Sequence, residues 1–245
     1  MPSYFLKVKM NNYKGTIEYI EEIALNTYKM TIASDLNEAK AGQFISILCP
    51  NKTLRRPFSI SGLKNNSLSI LFKLKGEGTQ YLSNLKAGDN IDFLAPLGNG
   101  FEIQNKKSLL IGAGIGIAPM LFLKNELNKK NIDNFLITGF KEKSEIIKGS
   151  DENIVGGSVL DNIEDLIKKF KPEIIYSCGP NIVLKLVSQL GIKNNIETQI
   201  ALERVMACSI GVCRGCVIKL NKNNELVNAS VCTDGPVFKG REVVW

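Results

Sequence analysis

The chain has 245 residues, 44% hydrophobic and 22% charged, with a formal net charge of +7. That length allows two compact domains or one with appendages, no apolar run approaches the ~20 residues a membrane span needs, and the lysines are scattered, as over 141–148 and 168–171, rather than laid out as the basic, aromatic-interleaved stripe of a nucleic-acid face. There is no histidine, which excludes His-ligated zinc or haem, Rieske centres and Ser-His-Asp catalysis.

Residues 1–7 carry no basic region leading into an apolar stretch, so no signal peptide is expected. A cytoplasmic location follows, where thiols stay reduced and serve as ligands or core residues. Tyr28, Met30 and Ile32 alternate with Lys29, Thr31 and Ala33, the period-2 pattern of a half-buried strand. Residues 43–49, 67–74 and 90–95 are further short apolar runs bounded by Gly, Pro and Asn, which predicts an antiparallel barrel or sandwich over 1–103. One short helix is expected within it, over 79–85. Arg56-Pro57-Phe58-Ser59-Ile60 reads as a connection between two of these strands. Arg can give two parallel hydrogen bonds to a phosphate, Pro fixes the local backbone, and a Ser hydroxyl can reach a ring nitrogen. A plain β-turn would look the same. Lys75-Gly76-Glu77-Gly78-Thr79 then precedes the helix, whose first amides would take a second phosphate. Together the two motifs suggest a dinucleotide such as FAD lying across the barrel.

From Lys107 the pattern changes. Strand-like runs at 108–111, 134–138 and 173–177 alternate with helical stretches at 119–130, 162–170 and 181–190, which predicts a parallel sheet covered on both faces over 104–200. The first strand runs into Gly112-Ala113-Gly114-Ile115-Gly116-Ile117-Ala118-Pro119, a glycine turn between strand and helix, the context of a phosphate site. It departs from G-x-G-x-x-G at Ile117, and a turn without ligand is the alternative to a nicotinamide nucleotide. Cys178-Gly179-Pro180, ending a later strand, would line the same crevice.

The segment 201–245 is cysteine-rich, with a hairpin expected at Asn223-Asn224. Cys208, Cys213, Cys216 and Cys232 follow the spacing C-x4-C-x2-C-x15-C, which is that of the plant-type [2Fe–2S] run. Zinc also takes four thiolates, but its structural sites usually pair two short knuckles, and Cys232 has no near partner. Disulfides would need an oxidising compartment. Cys49 reads as a core residue.

In this order, R-P-x-S, G-x-G-T, the glycine turn and C-G-P resemble the ferredoxin reductase superfamily. The segments Leu202-Glu203-Arg204-Val205-Met206-Ala207-Cys208 and Cys232-Thr233-Asp234-Gly235-Pro236-Val237-Phe238 narrow the resemblance to the electron-transfer subunits of type B dihydroorotate dehydrogenases. The resemblance implies that Arg56, Pro57, Phe58 and Ser59 hold FAD with Leu71, Phe72, Lys73, Gly78 and Thr79. It places Gly112, Gly114 and Gly116 on the NAD pyrophosphate, Cys178 near the nicotinamide, Ser59 near the flavin ring, and the four cysteines on [2Fe–2S]. It further implies an oxidoreductase subunit that accepts electrons from an FMN-containing dihydroorotate dehydrogenase catalytic subunit, in an assembly of two of each, and passes them to NAD⁺ in pyrimidine biosynthesis. No dihydroorotate chemistry would then fall to this chain, which suits the missing histidine. Sister subunits of a hydrogenase or of an NADH-dependent ferredoxin:NADP oxidoreductase are the nearest alternative, and a cluster-based redox sensor a more distant one. Two positions stand out. Ser209 follows the first cluster cysteine, where the family usually has Gly. After the second strand of the nucleotide domain, Glu142 could take the ribose hydroxyls of NAD, while Lys141 or Lys143 could accept the NADP phosphate.

Overall fold

Six antiparallel strands of alternating burial form the first half: β1 (Asn11–Ala24), β2 (Thr27–Ala33), β3 (Phe44–Ile47), β4 (Arg56–Lys64), β5 (Ser67–Lys73) and β6 (Asn90–Leu97). They close into a barrel in the order β1-β2-β5-β4-β3-β6. The computed structural model describes residues 11–245; residues 1–7 and the expectation attached to them lie outside the described residues. Every second side chain turns inward, so Ile17, Met30, Ile32, Ile70 and Phe93 meet in one core. β4 and β5 are joined by Asn65 and Asn66, both at positive φ (50° and 63°), the backbone of a tight two-residue hairpin turn. The helix α1 (Glu77–Ser83) starts two residues earlier than expected.

One expectation is corrected here. Arg56–Ile60 is not a connection between strands but the opening of β4. Proline reads as a strand breaker because it cannot donate to a ladder. Here β5 pairs with β4 only from Ile60 onward, so Pro57 has the β3 strand on one side and no missing partner on the other.

The second half is a six-stranded sheet built from β7 (Ser108–Ala113), α2 (Ile117–Lys129), β8 (Asn134–Phe140), β9 (Glu152–Val155), α3 (Ile163–Phe170), β10 (Ile174–Cys178), α4 (Asn181–Lys193) and β11 (Glu197–Ala201). The hairpin β12 (Val217–Lys222) and β13 (Glu225–Ser230) follows, turning at Asn223 and Asn224 (φ 52° and 65°). The last strand, β14 (Val237–Lys239), returns to the sheet, whose order is β14-β11-β10-β7-β8-β9. The other five strands run parallel to one another and β14 antiparallel. β9 and β11 carry no apolar pattern in the sequence. β9 is an exposed edge, and β11 buries Gln199 because its side-chain amide donates to Glu102 O and accepts from Glu102 N.

Barrel and sheet share an apolar seam of Leu71, Ile117, Ala118, Phe140 and Ile147. At its rim Lys73 Nζ lies 2.5 Å from Glu145 Oε1, and Leu25 N–H donates to Ser144 O at 2.8 Å. The hydrogen bond from Lys73 holds the Glu145 carboxyl below its ordinary value. A depressed carboxylate stabilises the fold above the ordinary carboxylate range, and that contribution is lost as pH falls through the folded value. Lys73→Met is therefore expected to cost under ~1 kcal/mol at neutral pH, because the pair is partly exposed, and nothing in acid. Urea unfolding at the two pH values checks it; an equal loss in acid would assign the effect to packing.

Candidate functional site

β4 presents Arg56, Pro57, Phe58 and Ser59 opposite Ile47, Ser46, Ile45 and Phe44 of β3. All four motif side chains are half-buried, so this stretch of the barrel keeps an open face. The Arg56 side chain crosses Gly78: a methyl group there would sit 2.9 Å from Arg56 Nε. Barrel closure thus brings the two flavin motifs into contact. The Thr79 hydroxyl accepts the amides of Lys75 (2.9 Å) and Gly76 (3.2 Å) and donates to Gly76 O, so Thr79 shapes the turn. Phe58 and Phe72 pack at 5.7 Å, and Tyr28 stacks on Phe72. Lys73 commits its ammonium to Glu145, leaving its backbone to any flavin.

The glycine turn lies where α2 packs on β4, so the Arg56–Ser59 strand and the glycine turn are neighbours. Gly112 stands in register with Cys178 on one side and Thr138 on the other. Between β7 and β10 the chain order reverses, which makes their carboxyl ends the crevice in which open α/β sheets bind ligands. Gly116 is forced by close approach: a methyl there would lie 2.3 Å from Cys178 O and 2.8 Å from the Gly179 Cα. Gly114 (φ +54°) instead faces open space. Cys178 is 5% exposed, and burial pushes its thiol well above the ordinary value, so it is a neutral packing group and not a thiolate nucleophile. Beyond β8, Glu142 accepts from the Ser144 hydroxyl and Lys141 N–H donates to Glu145.

The cysteines arrive in two pairs. Cys213 N–H donates to Cys208 Sγ at 3.4 Å and Cys232 N–H to Cys216 Sγ at 3.4 Å, while Gly215 N–H points at Cys213 Sγ. Burial raises the Cys208 thiol, but the amides of Cys213, Ile210 and Val212 outweigh it and bring the group down; burial and the neighbouring Cys216 drive Cys232 up. Left-handed backbone at Ser209, Gly211 and Arg214 (φ 62°, 84° and 53°) coils the loop. Phe44 and Leu97 of the barrel, Leu184 of α4 and Ile200 of β11 pack with Cys216 and Cys232, so the module is seated against both halves. Asn99 reinforces this, its side chain donating to Thr233 O and Asp234 O. Among the described residues, no three His, Cys, Asp or Glu side chains are grouped as a single-ion site. Hollows of about 570 Å³ between α3 and α4 and about 410 Å³ along β1 are lined by none of the motif residues.

A family model described as the iron-sulfur cluster binding domain of dihydroorotate dehydrogenase B matches residues 203–244. The dihydroorotate dehydrogenase B (NAD(+)) electron transfer subunit of Caldanaerobacter subterraneus subsp. tengcongensis is 37% identical over 235 residues, covering 91% of this chain and 94% of the relative. The chain belongs to this family. A further dihydroorotate dehydrogenase B electron transfer subunit, from Fusobacterium nucleatum, is 35% identical, covering 93% of this chain and 96% of the relative. A solved NADH-dependent reduced ferredoxin-NADP oxidoreductase superposes with a TM-score of 0.81 at 28% identity, over 94% of this chain and 90% of that one. The ferredoxin reductase of carbazole 1,9a-dioxygenase, at 16% identity and a TM-score of 0.67 over 80% and 68%, shares the fold.

The donor set suits the cluster this family's name implies. A two-iron cluster asks each iron to take two thiolates, and the loop offers Cys208 with Cys213 and Cys216 with Cys232. Amides aimed at sulfur are the outer-shell partners that such ligands need. Sequence reasoning missed Ser46 and Asn99, which anchor the loop from the barrel. No local signal marks either, since each acts on a partner more than a hundred residues away.

Proposed function

We propose that the chain is the electron-transfer subunit of a dihydroorotate dehydrogenase, linking oxidation of dihydroorotate at the FMN of a catalytic subunit to reduction of NAD⁺. The observation that carries this is the paired-cysteine loop, within the segment that matches the family model, seated against both the barrel and the nucleotide sheet. The barrel of 1–103 holds FAD through Arg56, Pro57, Phe58 and Ser59, the β5 stretch Leu71, Phe72 and Lys73, and Gly78 with Thr79. Residues 104–200 hold NAD, with Gly112, Gly114 and Gly116 at the pyrophosphate and Cys178 beside the nicotinamide. Residues 201–245 hold [2Fe–2S] on Cys208, Cys213, Cys216 and Cys232 and lend β14 back to the sheet. Bound there, the cofactors supply one- and two-electron chemistry that side chains cannot.

The protein's own work is placement. Arg56 supplies charge to a phosphate and is braced by Leu54 O, which accepts from its Nη1 at 2.6 Å. Gly116 lets the turn after β7 approach the end of β10 more closely than any side chain would allow, which would shape the floor of the nicotinamide site. Glu142 takes the ribose hydroxyls and disfavours the 2′-phosphate of NADP. Two copies of each subunit make the assembly. A cytoplasmic location accords with cysteines kept as thiols, and among the described residues no helix is long and apolar enough to cross a membrane.

Anaerobic reconstitution with iron, sulfide and FAD, followed by addition of an FMN-containing dihydroorotate dehydrogenase subunit, is the test. Dihydroorotate-dependent reduction of NAD⁺ is expected with both chains, weaker reduction of NADP⁺, and none with the catalytic subunit alone. Co-purification with a hydrogenase or a larger flavoprotein instead would move the function to a sister family.

A further inference from the structure

Ser209 is a non-glycine residue in left-handed backbone (φ +62°) and is 1% exposed. Both features cost free energy unless something offsets them. The partner is Ser46 of β3, fully buried, whose Oγ lies 3.0 Å from Ser209 Oγ. Ser46 faces Pro57 across the β3–β4 ladder, and Ser209 follows Cys208 directly. Its strand is itself braced, because Arg55 Nη1 donates to Ser46 O at 3.3 Å while Arg55 Nη2 pairs with Asp92 at 2.7 Å. The two hydroxyls therefore join β3, the strand beside the flavin motif, to the residue after the first cluster cysteine through one buried bond, between segments that no backbone ladder connects.

We propose that Ser46 and Ser209 are a positioning pair, whose hydrogen bond fixes the cysteine loop against β3, the ladder partner of the flavin strand, and so sets the spacing between the two redox centres. This rests on the reading that β4 holds flavin and the four cysteines hold the cluster. Neither serine touches either cofactor's motif by its own hydroxyl, so the pair acts through the elements it joins. An orphaned buried hydroxyl is costly, whereas losing both partners together is much less so, and that asymmetry is the signature to measure.

The test uses the cofactor-loaded complex as wild type, Ser46→Ala, Ser209→Gly and the double variant. Glycine suits the left-handed backbone at position 209, so Ser209→Gly removes the hydroxyl while relieving strain and keeps the loop foldable. Each protein is mixed rapidly with NADH, and loop amides are followed by hydrogen exchange. Flavin reduction is expected at the wild-type rate in all four. In both single variants the later reduction of the cluster slows, and the amides around Cys208 and Cys213 lose about tenfold of their protection. The double variant is no worse than the worse single, the coupling expected of residues in contact. Singles with wild-type protection and wild-type cluster reduction overturn the pairing, as do effects that simply add. Wild-type protein that takes up FAD but shows no iron–sulfur spectrum overturns the reading beneath it as well, and this is seen before any variant is compared.

Discussion

Replacing Cys232 with alanine is expected to leave a flavoprotein that has lost its iron–sulfur absorption and its electron paramagnetic resonance signal. Cys232 is buried, reaches the loop from the far end of β13, and gives its amide to Cys216 Sγ. Without it one iron would keep a single protein thiolate, and no other cysteine is placed to substitute: Cys49 lies against Gly78 O in the barrel and Cys178 at the nucleotide crevice. Loss of an outer-shell partner already costs a metal site about 10–100-fold, so loss of a ligand should lower dihydroorotate-driven NAD⁺ reduction at least ~100-fold. NADH oxidation with an artificial acceptor that draws directly on the flavin should survive, because Arg56, Gly78 and Thr79 are untouched. Retention of the cluster signal in Cys232→Ala would remove this residue from the ligand set.

The second large effect is expected at Gly116. The residue has ordinary right-handed helical backbone (φ −60°, ψ −10°), and at such a position glycine to alanine is normally stabilising. Here the sign reverses. The new methyl would lie 2.3 Å from Cys178 O, an approach that no rotamer relieves because the obstacle is backbone. β7 and β10 must part at their carboxyl ends, at a cost of about 1–3 kcal/mol in overpacking. The Michaelis constant for NADH should rise at least ~10-fold, the equivalent of about 1.4 kcal/mol, with FAD content and cluster spectrum unchanged. Gly114→Ala is the comparison: its φ of +54° is strained for alanine, yet no atom stands within 4 Å, so it tests the local turn without wedging the strands. Equal and small effects of the two substitutions on NADH would place the nucleotide elsewhere.

Much of this molecule was readable before any coordinates. Period-2 alternation announced the barrel, strand–helix alternation announced the sheet, and the Asn223–Asn224 turn appeared where expected, because each signal depends on neighbours a few residues apart. The cysteine spacing belongs to the same class, since a loop of fixed length dictates which thiols can meet. What escaped were features whose cause is distant. Pro57 disguised the start of β4, because only barrel closure shows that β5 leaves that side unpaired. β11 is polar in sequence and buried in fact, since Glu102, nearly a hundred residues earlier, satisfies Gln199. β9 shows no pattern because it buries little.

By itself, then, the sequence determined the kinds of site: a glycine turn able to approach a phosphate, an arginine motif, and four thiols at cluster spacing. Only the tertiary structure decided that they adjoin. Arg56 meets Gly78 because the barrel closes, Gly116 meets Cys178 because β7 and β10 are neighbours in the sheet, and Ser209 meets Ser46 because the cysteine module packs back onto β3. Such contacts follow from burial of apolar faces that are distant in the chain, and no window of local sequence contains them.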